Sequence, residues 1–231
     1  SFATALPPTA GLGIAWVSAG VTDIQGRNSA GEKTTMMQTG EDALMISFAQ
    51  RILPWFSFGA NIKILQNQLP INESYKGSGI GFDIGFLIKS GKSTTFGLMI
   101  QDINSMYNWD SGDLYAEGRI YSEYFPTIYR FGTKFIYKSI RVVADAGLIT
   151  NYRVGKEVSE DTFVNLSPRI GIEYTYLDLY YIRGGLGNGR IAFGWGLEYD
   201  LIKDHDSRID YTFSMDWASQ LAHTFSYGFN F

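Results

Sequence analysis

The chain has 231 residues, no cysteine, a formal net charge of −4 and an aromatic content of 16%, with 26 glycines. The lack of cysteine excludes disulfide frameworks and cysteine-based metal or catalytic sites, and the acidic balance offers no basic patch for nucleic acid. No apolar run approaches the roughly 20 residues that a membrane-spanning helix needs. Charged residues make up 18% of the chain, which is low for a water-soluble surface.

Apolar and polar residues alternate along most of the chain, and this period of two predicts β-strands rather than helices. A short first strand is predicted at Phe2–Leu6, before Pro7-Pro8. The longer strands follow in chain order as Gly11–Gly20, Asp42–Ile52, Trp55–Leu65, Ser78–Ser90, Thr94–Ile103, Pro126–Tyr137, Ile140–Asn151, Asn165–Tyr176, Leu179–Gly185, Arg190–Leu201, Arg208–Trp217 and His223–Phe231. About twelve strands of roughly ten residues are typical of outer-membrane barrels.

The last predicted strand has one aromatic face and one small, polar face. Phe225, Tyr227, Phe229 and Phe231 share the aromatic face. The edge strand of a soluble β-sandwich would bury that face in a core, whereas an outer-membrane barrel turns it to lipid and lines its lumen with the polar face. A chain ending on an aromatic carboxylate resembles the terminal strand of outer-membrane barrels. The resemblance implies that the barrel-assembly machinery recognises these four residues.

The connections alternate between tight turns and long segments. Tight turns are predicted at Leu53-Pro54, Gly91-Lys92, Lys138-Ser139 and Leu177-Asp178. Long extracellular loops are predicted at about 21–41, 66–77, 104–125 and 152–164. Short periplasmic turns opposite long extracellular loops are typical of outer-membrane barrels. We therefore predict a single domain over residues 1–231: an all-β, transmembrane, antiparallel up-and-down β-barrel of 12–14 strands, surrounded by the lipid of a bacterial outer membrane.

The N-terminal region departs from a complete barrel. With Phe2–Leu6 included, the count is thirteen strands, whereas single-chain bacterial barrels have an even number. Ser1–Thr4 has neither the basic region nor the apolar stretch of a secretion signal. We therefore expect the sequence to begin downstream of a signal peptide and to lack one N-terminal strand.

Four soft patterns of glycine, aromatic and acidic residues stand out, namely Gly11–Arg27, Glu41–Leu44 followed by Ser57–Lys63, Asn108–Gly112 and Arg183–Gly187. Together they resemble the PorV/PorQ group of outer-membrane proteins. That group has the fold of the FadL-type fatty-acid transporters, a fourteen-stranded barrel with an N-terminal plug. The resemblance implies a FadL-like barrel whose N-terminal part is missing, because the group's Asn-Pro-Ala-Gly-like motif is absent here. It also implies either a subunit or shuttle of the type IX secretion system, or passage of small hydrophobic molecules.

The predicted lumen face collects charges of both signs: Arg51, Lys63, Asp83, Arg130, Lys134, Arg141, Asp145, Arg169, Glu173, Arg183, Arg190, Glu198, Asp210 and Asp216. These charges could form a mutually satisfied network that fills the barrel, or a polar pore that selects solutes by charge. We favour the network, because a chain this short makes a narrower barrel than the general porins of sixteen or more strands. The charges also leave no apolar pocket for a fatty acid.

The segment 104–125 carries the main functional prediction. It combines aromatic and acidic side chains, with Tyr107, Trp109, Asp110, Tyr115 and Tyr121 as candidate contacts. Aromatic anchors among polar residues are typical of protein-binding surfaces. An interfacial aromatic girdle would explain Tyr121, but it explains Trp109 at the predicted loop apex less well. We predict a protein-binding subunit of a surface or secretion assembly, with a channel or transporter for small hydrophobic or polar solutes as the alternative.

Catalysis and metal binding have little support in the sequence. His205 and His223 are the two histidines, and no serine and acid can be placed around either of them as a catalytic triad. The acidic groups Asp204, Asp206, Asp210 and Asp110, Asp113, Glu117 do not have calcium-loop spacing. We predict no enzymatic activity, no cofactor and no metal.

Overall fold

The computed structural model describes residues 1–70, 75–113, 116–151, 163–202, 205–216 and 220–229. Its strands are β1 (Phe2–Leu6), β2 (Ala10–Arg27), β3 (Lys33–Leu53), β4 (Phe56–Gln68), β5 (Lys76–Ser90), β6 (Thr94–Asp110), β7 (Ile120–Tyr124), β8 (Thr127–Tyr137), β9 (Ile140–Thr150), β10 (Val164–Tyr176), β11 (Tyr180–Gly187), β12 (Arg190–Ile202), β13 (His205–Asp216) and β14 (Gln220–Phe229). One short 3-10 turn lies at Ser111–Asp113. A search of the described residues finds no helix with the length and apolarity to cross a membrane.

Strands that follow one another in the chain are hydrogen-bonded neighbours. The order runs from β1 to β6, continues with β8 and ends at β14, while β7 pairs with β6 beside this path. The predicted all-β, antiparallel, up-and-down architecture is confirmed, with fourteen strands. The sequence did not predict β7, which is only five residues long.

The tight turns lie where the sequence predicts them. Gly91, Lys138, Leu177 and Asp178 all have positive φ, between 53° and 68°. The hairpin between β11 and β12 turns at Asn188 and Gly189, with φ of 53° and 72°. Two successive residues with positive φ fit a type I′ turn, whose twist matches that of the two strands it joins.

The predicted loop at 21–41 is largely strand, and this corrects the sequence-based prediction. β2 and β3 pair as far as Arg27 and Lys33, leaving only residues 28–32 as the turn. Asp23 has φ 60°, and the register shifts between Val21 and Ile24. This irregularity breaks the alternation on which the prediction depended. Of the predicted loop at 66–77, residues 66–68 lie in β4 and residues 76–77 in β5, while residues 71–74 fall outside the described residues. Most of the predicted loop at 152–164 falls outside the described residues.

The chain forms two compact units. The first comprises Ser1–Phe86, Met99–Tyr129 and Ile149–Val164, and the second Leu87–Leu98, Arg130–Leu148 and Asn165–Phe231. Within each unit the strands carry large apolar side chains on one face and polar side chains on the other. This alternation is the period of two that the sequence shows.

The apolar faces are exposed in both units. In the first unit Trp16 is 70% and Ile62 46% exposed, and in the second unit Phe193 is 60% and Phe225 68% exposed. Apolar surfaces this extensive are unfavourable in water, whereas a membrane barrel turns them to lipid. The buried apolar core of the described residues is small and consists of Leu65, Tyr107 and Trp109 in the first unit.

Candidate functional site

A network of charged side chains covers the polar face of β9–β13 in the second unit. Arg183 bridges two carboxylates, with its Nε 2.5 Å from Glu173 Oε2 and its Nη1 2.5 Å from Asp210 Oδ1. Glu173 also accepts a hydrogen bond from Arg141 Nη1 at 2.6 Å, and Asp210 accepts one from Arg208 Nε at 2.9 Å. Charge-assisted hydrogen bonds of this kind are about twice as strong as neutral ones, so the cluster holds its strands in register.

Tyr181 extends this network. Its hydroxyl donates to Glu198 Oε2 at 2.6 Å. The guanidinium carbons of Arg208 and Arg183 lie 4.6 Å and 5.4 Å from the centre of its ring. Both distances are within the range of a cation–π interaction. Both residues were missed in the sequence analysis. Tyr181 lies among aromatic residues that fit the lipid face, and Arg208 is the first residue of its predicted strand, whereas β13 begins at His205.

Other charges of the second unit form isolated pairs or none. Arg130 Nη1 lies 2.5 Å from Asp145 Oδ1, and Arg190 Nε lies 3.0 Å from Asp216 Oδ2. Arg169 and Lys134 have no ion pair within the described ranges. Among the described residues, the predicted lumen charges of this unit are each hydrogen-bonded to a partner, except Arg169 and Lys134.

An open cavity of about 600 Å³ lies on this polar face. Its lining includes Arg169 and Arg190 together with small residues such as Gly171, Gly185 and Ala192. In the strand register Gly171 faces Gly185, which faces Ala192. Because three adjacent strands contribute little or no side chain here, the sheet has a concave floor between its charged rows.

A second polar cluster lies in the first unit around Lys63. Its ammonium lies 2.7 Å from Asp83 Oδ1 and also pairs with Asp102. Asn61 Nδ2 donates to Asp83 Oδ2 at 3.0 Å, and the backbone N–H of Asp102 donates to Asp83 Oδ1 at 2.9 Å. Asp102 and Asn104 have φ of 58° and 51°, so β6 is irregular at this point. Ser105 follows, fully buried, and its hydroxyl has no hydrogen-bond partner among the described residues.

Beyond this irregularity β6 lies against the polar face of β5, along three alternate glycines. A Cβ on Gly77 would come within 2.7 Å of the Trp109 indole. A Cβ on Gly79 would overlap the carbonyl oxygen of Met106, and one on Gly81 would overlap Ser105 Oγ. Glycine in a strand often marks the close approach of another backbone, as it does here at Gly79, while Gly77 and Gly81 leave room for side chains. The three glycines are visible in the sequence, but only the structure shows that β6 lies over them.

Tyr107 and Trp109 complete an aromatic cluster with Tyr75 and Phe125. The ring centres of Tyr75 and Trp109 are 5.5 Å apart, and those of Tyr107 and Phe125 are 4.9 Å apart. Two hydrogen bonds hold the polar ends of the cluster: Tyr107 Oη donates to Glu41 at 2.6 Å, and Trp109 Nε1 donates to Glu123 at 3.0 Å. Satisfied polar tips of this kind allow aromatic rings to be buried.

This cluster corrects the prediction of a partner-binding loop. Tyr107 is 2% and Trp109 4% exposed, and both lie in β6 rather than at a loop apex. The physical reason is the row of glycines together with Leu65, which offers the rings an apolar site within the chain itself. Tyr121 is 66% exposed on β7, and Asp110 ends β6 exposed. Tyr115 lies outside the described residues.

The proposed assembly signal lies on β14. Phe225, Tyr227 and Phe229 share one face, and the first two are 68% and 54% exposed. Phe231 lies outside the described residues, and recognition by the assembly machinery stays a prediction. On the same strand, His223 Nδ1 lies 2.6 Å from the hydroxyl of Tyr211 on β13. Within the described ranges no three acidic or histidine side chains are grouped to hold a metal ion.

Comparison with solved structures identifies the fold. The Ralstonia pickettii toluene transporter TbuX superposes with a TM-score of 0.63 at 13% sequence identity, covering 98% of this chain and 79% of that one. The monoaromatic hydrocarbon channel CymD gives 0.63 at 13% identity, covering 98% of this chain and 80% of that one. A Pseudomonas aeruginosa FadL homologue gives 0.62 at 11% identity, covering 92% and 68%. This chain has the FadL-type outer-membrane barrel fold.

The fold and the exposed apolar faces together give the location. A FadL-type barrel with large apolar side chains on its outward strand faces belongs in lipid, so the predicted outer-membrane location is confirmed. No protein-family model matches the sequence, and no curated protein matches it either.

Proposed function

We propose that this barrel is a channel for small solutes across the outer membrane. The observation that carries the proposal is the open cavity of about 600 Å³ on the polar face of β9–β13, where small residues leave space between charged rows. Cavities of this size are typical of small-molecule sites. The shared fold adds support, because the similar structures include a toluene transporter and a monoaromatic hydrocarbon channel.

The polar lining bears on the kind of solute. The cavity is bordered by Asp145, Arg169, Arg190 and Asp216. A neutral hydrocarbon cannot form hydrogen bonds with these groups, and its binding would remove them from water at a cost in free energy. We therefore propose solutes with at least one polar group, rather than the hydrocarbons named for the similar structures.

Single-channel recording in planar bilayers tests the channel. We expect discrete conductance steps from the purified barrel, and smaller steps from Ala192→Trp, which fills the floor of the cavity. Ala146→Trp is the matched control, because Ala146 lies on β9 on the face opposite Asp145. Absence of conductance steps from the folded barrel, or equal steps from the two tryptophan variants, would contradict the proposal.

A second candidate is the protein-binding subunit of a secretion assembly of the PorV/PorQ type. The specific observation in its favour is β7, where Ile120 is 72% and Tyr121 66% exposed beside the acidic Glu123. Exposed aromatic and aliphatic side chains of this kind can anchor a partner. A pull-down from native membranes would then lose its partner in Tyr121→Ala and keep it in Tyr137→Ala, an exposed tyrosine of β8.

A further inference from the structure

Arg169 is an exposed guanidinium without an ion-pair partner in the described part of the chain. It begins a cross-strand row in which it faces Gly187 on β11, and Gly187 faces Arg190 on β12. The arrangement depends on the glycine, because a Cβ at Gly187 would come within 2.6 Å of Arg169 Cγ. The stem of Arg169 therefore lies across β11 towards the strand that carries Arg190.

The neighbouring carboxylates are already engaged. Asp145 accepts a hydrogen bond from Arg130 at 2.5 Å, and Asp216 accepts one from Arg190 at 3.0 Å. After these two pairs, the charge left among the described residues that line the cavity is the single positive charge of Arg169. One strand, β11, lies between Arg169 and Arg190, so their backbones are two strand spacings or about 10 Å apart, and two long side chains can span that gap to a common anion.

Apart from Asn188, the remaining described residues of the lining are apolar or small. Val143, Gly171, Gly185 and Ala192 border the same cavity of about 600 Å³. A group bound at Arg169 would have its non-polar part over this floor. The cavity volume is in the range of small-molecule sites, and the one unpaired guanidinium, that of Arg169, would match a ligand with one negative charge.

We propose that this cavity is a binding site for small organic anions that carry one carboxylate, or a similar group, on a compact apolar body. The guanidinium of Arg169 binds the anionic group as a bidentate donor, and Arg190 supports it from the opposite side of Gly187. The importance of this site for transport rests on the channel function proposed above, but binding itself is measurable without transport.

Calorimetric titration of the purified, folded barrel with benzoate tests the site directly. Benzamide, which has the same shape without the charge, serves as the neutral comparison. We expect benzoate to bind at least about ten times more tightly, since only its carboxylate can accept charge-assisted hydrogen bonds from the guanidinium. This comparison uses the unmodified chain and does not depend on the folding of any variant. Equal binding of benzoate and benzamide, or no binding of benzoate, would overturn the proposal.

Two variants place the interaction on Arg169. Arg169→Gln should weaken benzoate binding roughly ten- to a hundredfold. Lys92→Gln removes the same charge from the exposed turn between β5 and β6 and should bind benzoate as the unmodified barrel does. Heat-modifiable gel migration checks that both variants are folded. Unchanged binding in folded Arg169→Gln would exclude Arg169 as the anchor.

Permeability measurements separate the site from the channel. In bilayers a salt gradient should show a preference for anions that is lost in Arg169→Gln and reversed in Arg169→Glu. Conductance with no such preference and no benzoate binding would contradict the anion site and leave the channel standing. Benzoate binding without any conductance would support the site and contradict the channel.

Discussion

The Trp109 indole lies directly on Gly77, at a distance that leaves no room for a side chain at that position. The neighbouring hydrogen bonds from Trp109 to Glu123 and from Tyr107 to Glu41 fix the two rings in place. The packing of Trp109 depends on the absence of a side chain at Gly77. A methyl group is therefore enough to test it.

Gly77→Ala should destabilise the barrel by roughly 1–3 kcal/mol, because the new methyl group overpacks the indole. Gly228→Ala is the matched control, since a Cβ there has no atom within 4 Å and both glycines lie in strands. Equilibrium urea unfolding in lipid vesicles measures both variants. Equal stability of the two would show that β6 does not lie on Gly77 as described.

Lys63 is a second residue on which its surroundings depend. Its side chain and that of Asp83 are 11% and 6% exposed, and the same ammonium pairs with Asp102. Lys63→Met should cost roughly 3–5 kcal/mol of stability, because it leaves two carboxylates without their cation. Lys92→Met, in an exposed turn, should cost little. Urea unfolding of both variants under the same conditions measures the two losses of stability. A loss in Lys63→Met as small as that in Lys92→Met would contradict the ion pairs of Lys63.

At the scale of a single element, β12 shows how the two strand faces differ. Phe193 is 60% exposed on the apolar face, and Ala192 lines the cavity on the polar face. Phe193→Arg should cost roughly 2–4 kcal/mol in a bilayer, whereas Ala192→Arg should cost less. The readout is the midpoint of urea unfolding for each variant. Equal losses of stability in the two variants would contradict this assignment of the faces, and a larger loss in Ala192→Arg would reverse it.

Strand alternation explains how much of these elements the sequence could predict. β12 and β14 alternate with a period of two over most of their length, so their faces followed from the residue types alone, whereas β14 begins at Gln220, three residues before its predicted start. β6 does not keep it: alternation from Phe96 and Leu98 would place Asp102 on the apolar face, yet Asp102 pairs with Lys63. The positive φ of Asp102 turns its carboxylate to the polar face, and the residue pattern does not predict this left-handed conformation.

The candidate site was predictable only in its residue types. The charges at Glu173, Arg183 and Asp210 were expected on one face, but their partners depend on cross-strand register, which the sequence does not give. The burial of Trp109 could not be predicted because a tryptophan in a long segment fits an exposed anchor and an internal packing residue equally well. The three alternate glycines of β5 favour internal packing, because they leave room for β6 to lie against them, but this contact is known only from the structure.

At the scale of the whole molecule, the fold suits insertion into the outer membrane. The aromatic face of β14 includes Phe225 and Tyr227, and we expect the assembly machinery to read the final strand through Phe231. Deletion of Phe231 should therefore reduce the heat-modifiable, folded barrel in the membrane fraction and leave protein in the periplasm. Phe131→Ala, an exposed aromatic residue of β8, should not. Equal amounts of folded barrel in the two variants would remove that role from Phe231.

The burial of Trp109 gives the protein an internal optical probe. Trp16, Trp55 and Trp195 are 70%, 52% and 52% exposed, whereas Trp109 is 4% exposed. Brominated lipids should quench the fluorescence of exposed tryptophans on the apolar faces and leave the Trp109 emission intact. A variant that keeps Trp109 and has phenylalanine at the other tryptophans would then report on β6 alone. A rise in its quenching by aqueous iodide during solute flow would reveal that this part of the strand moves away from Gly77.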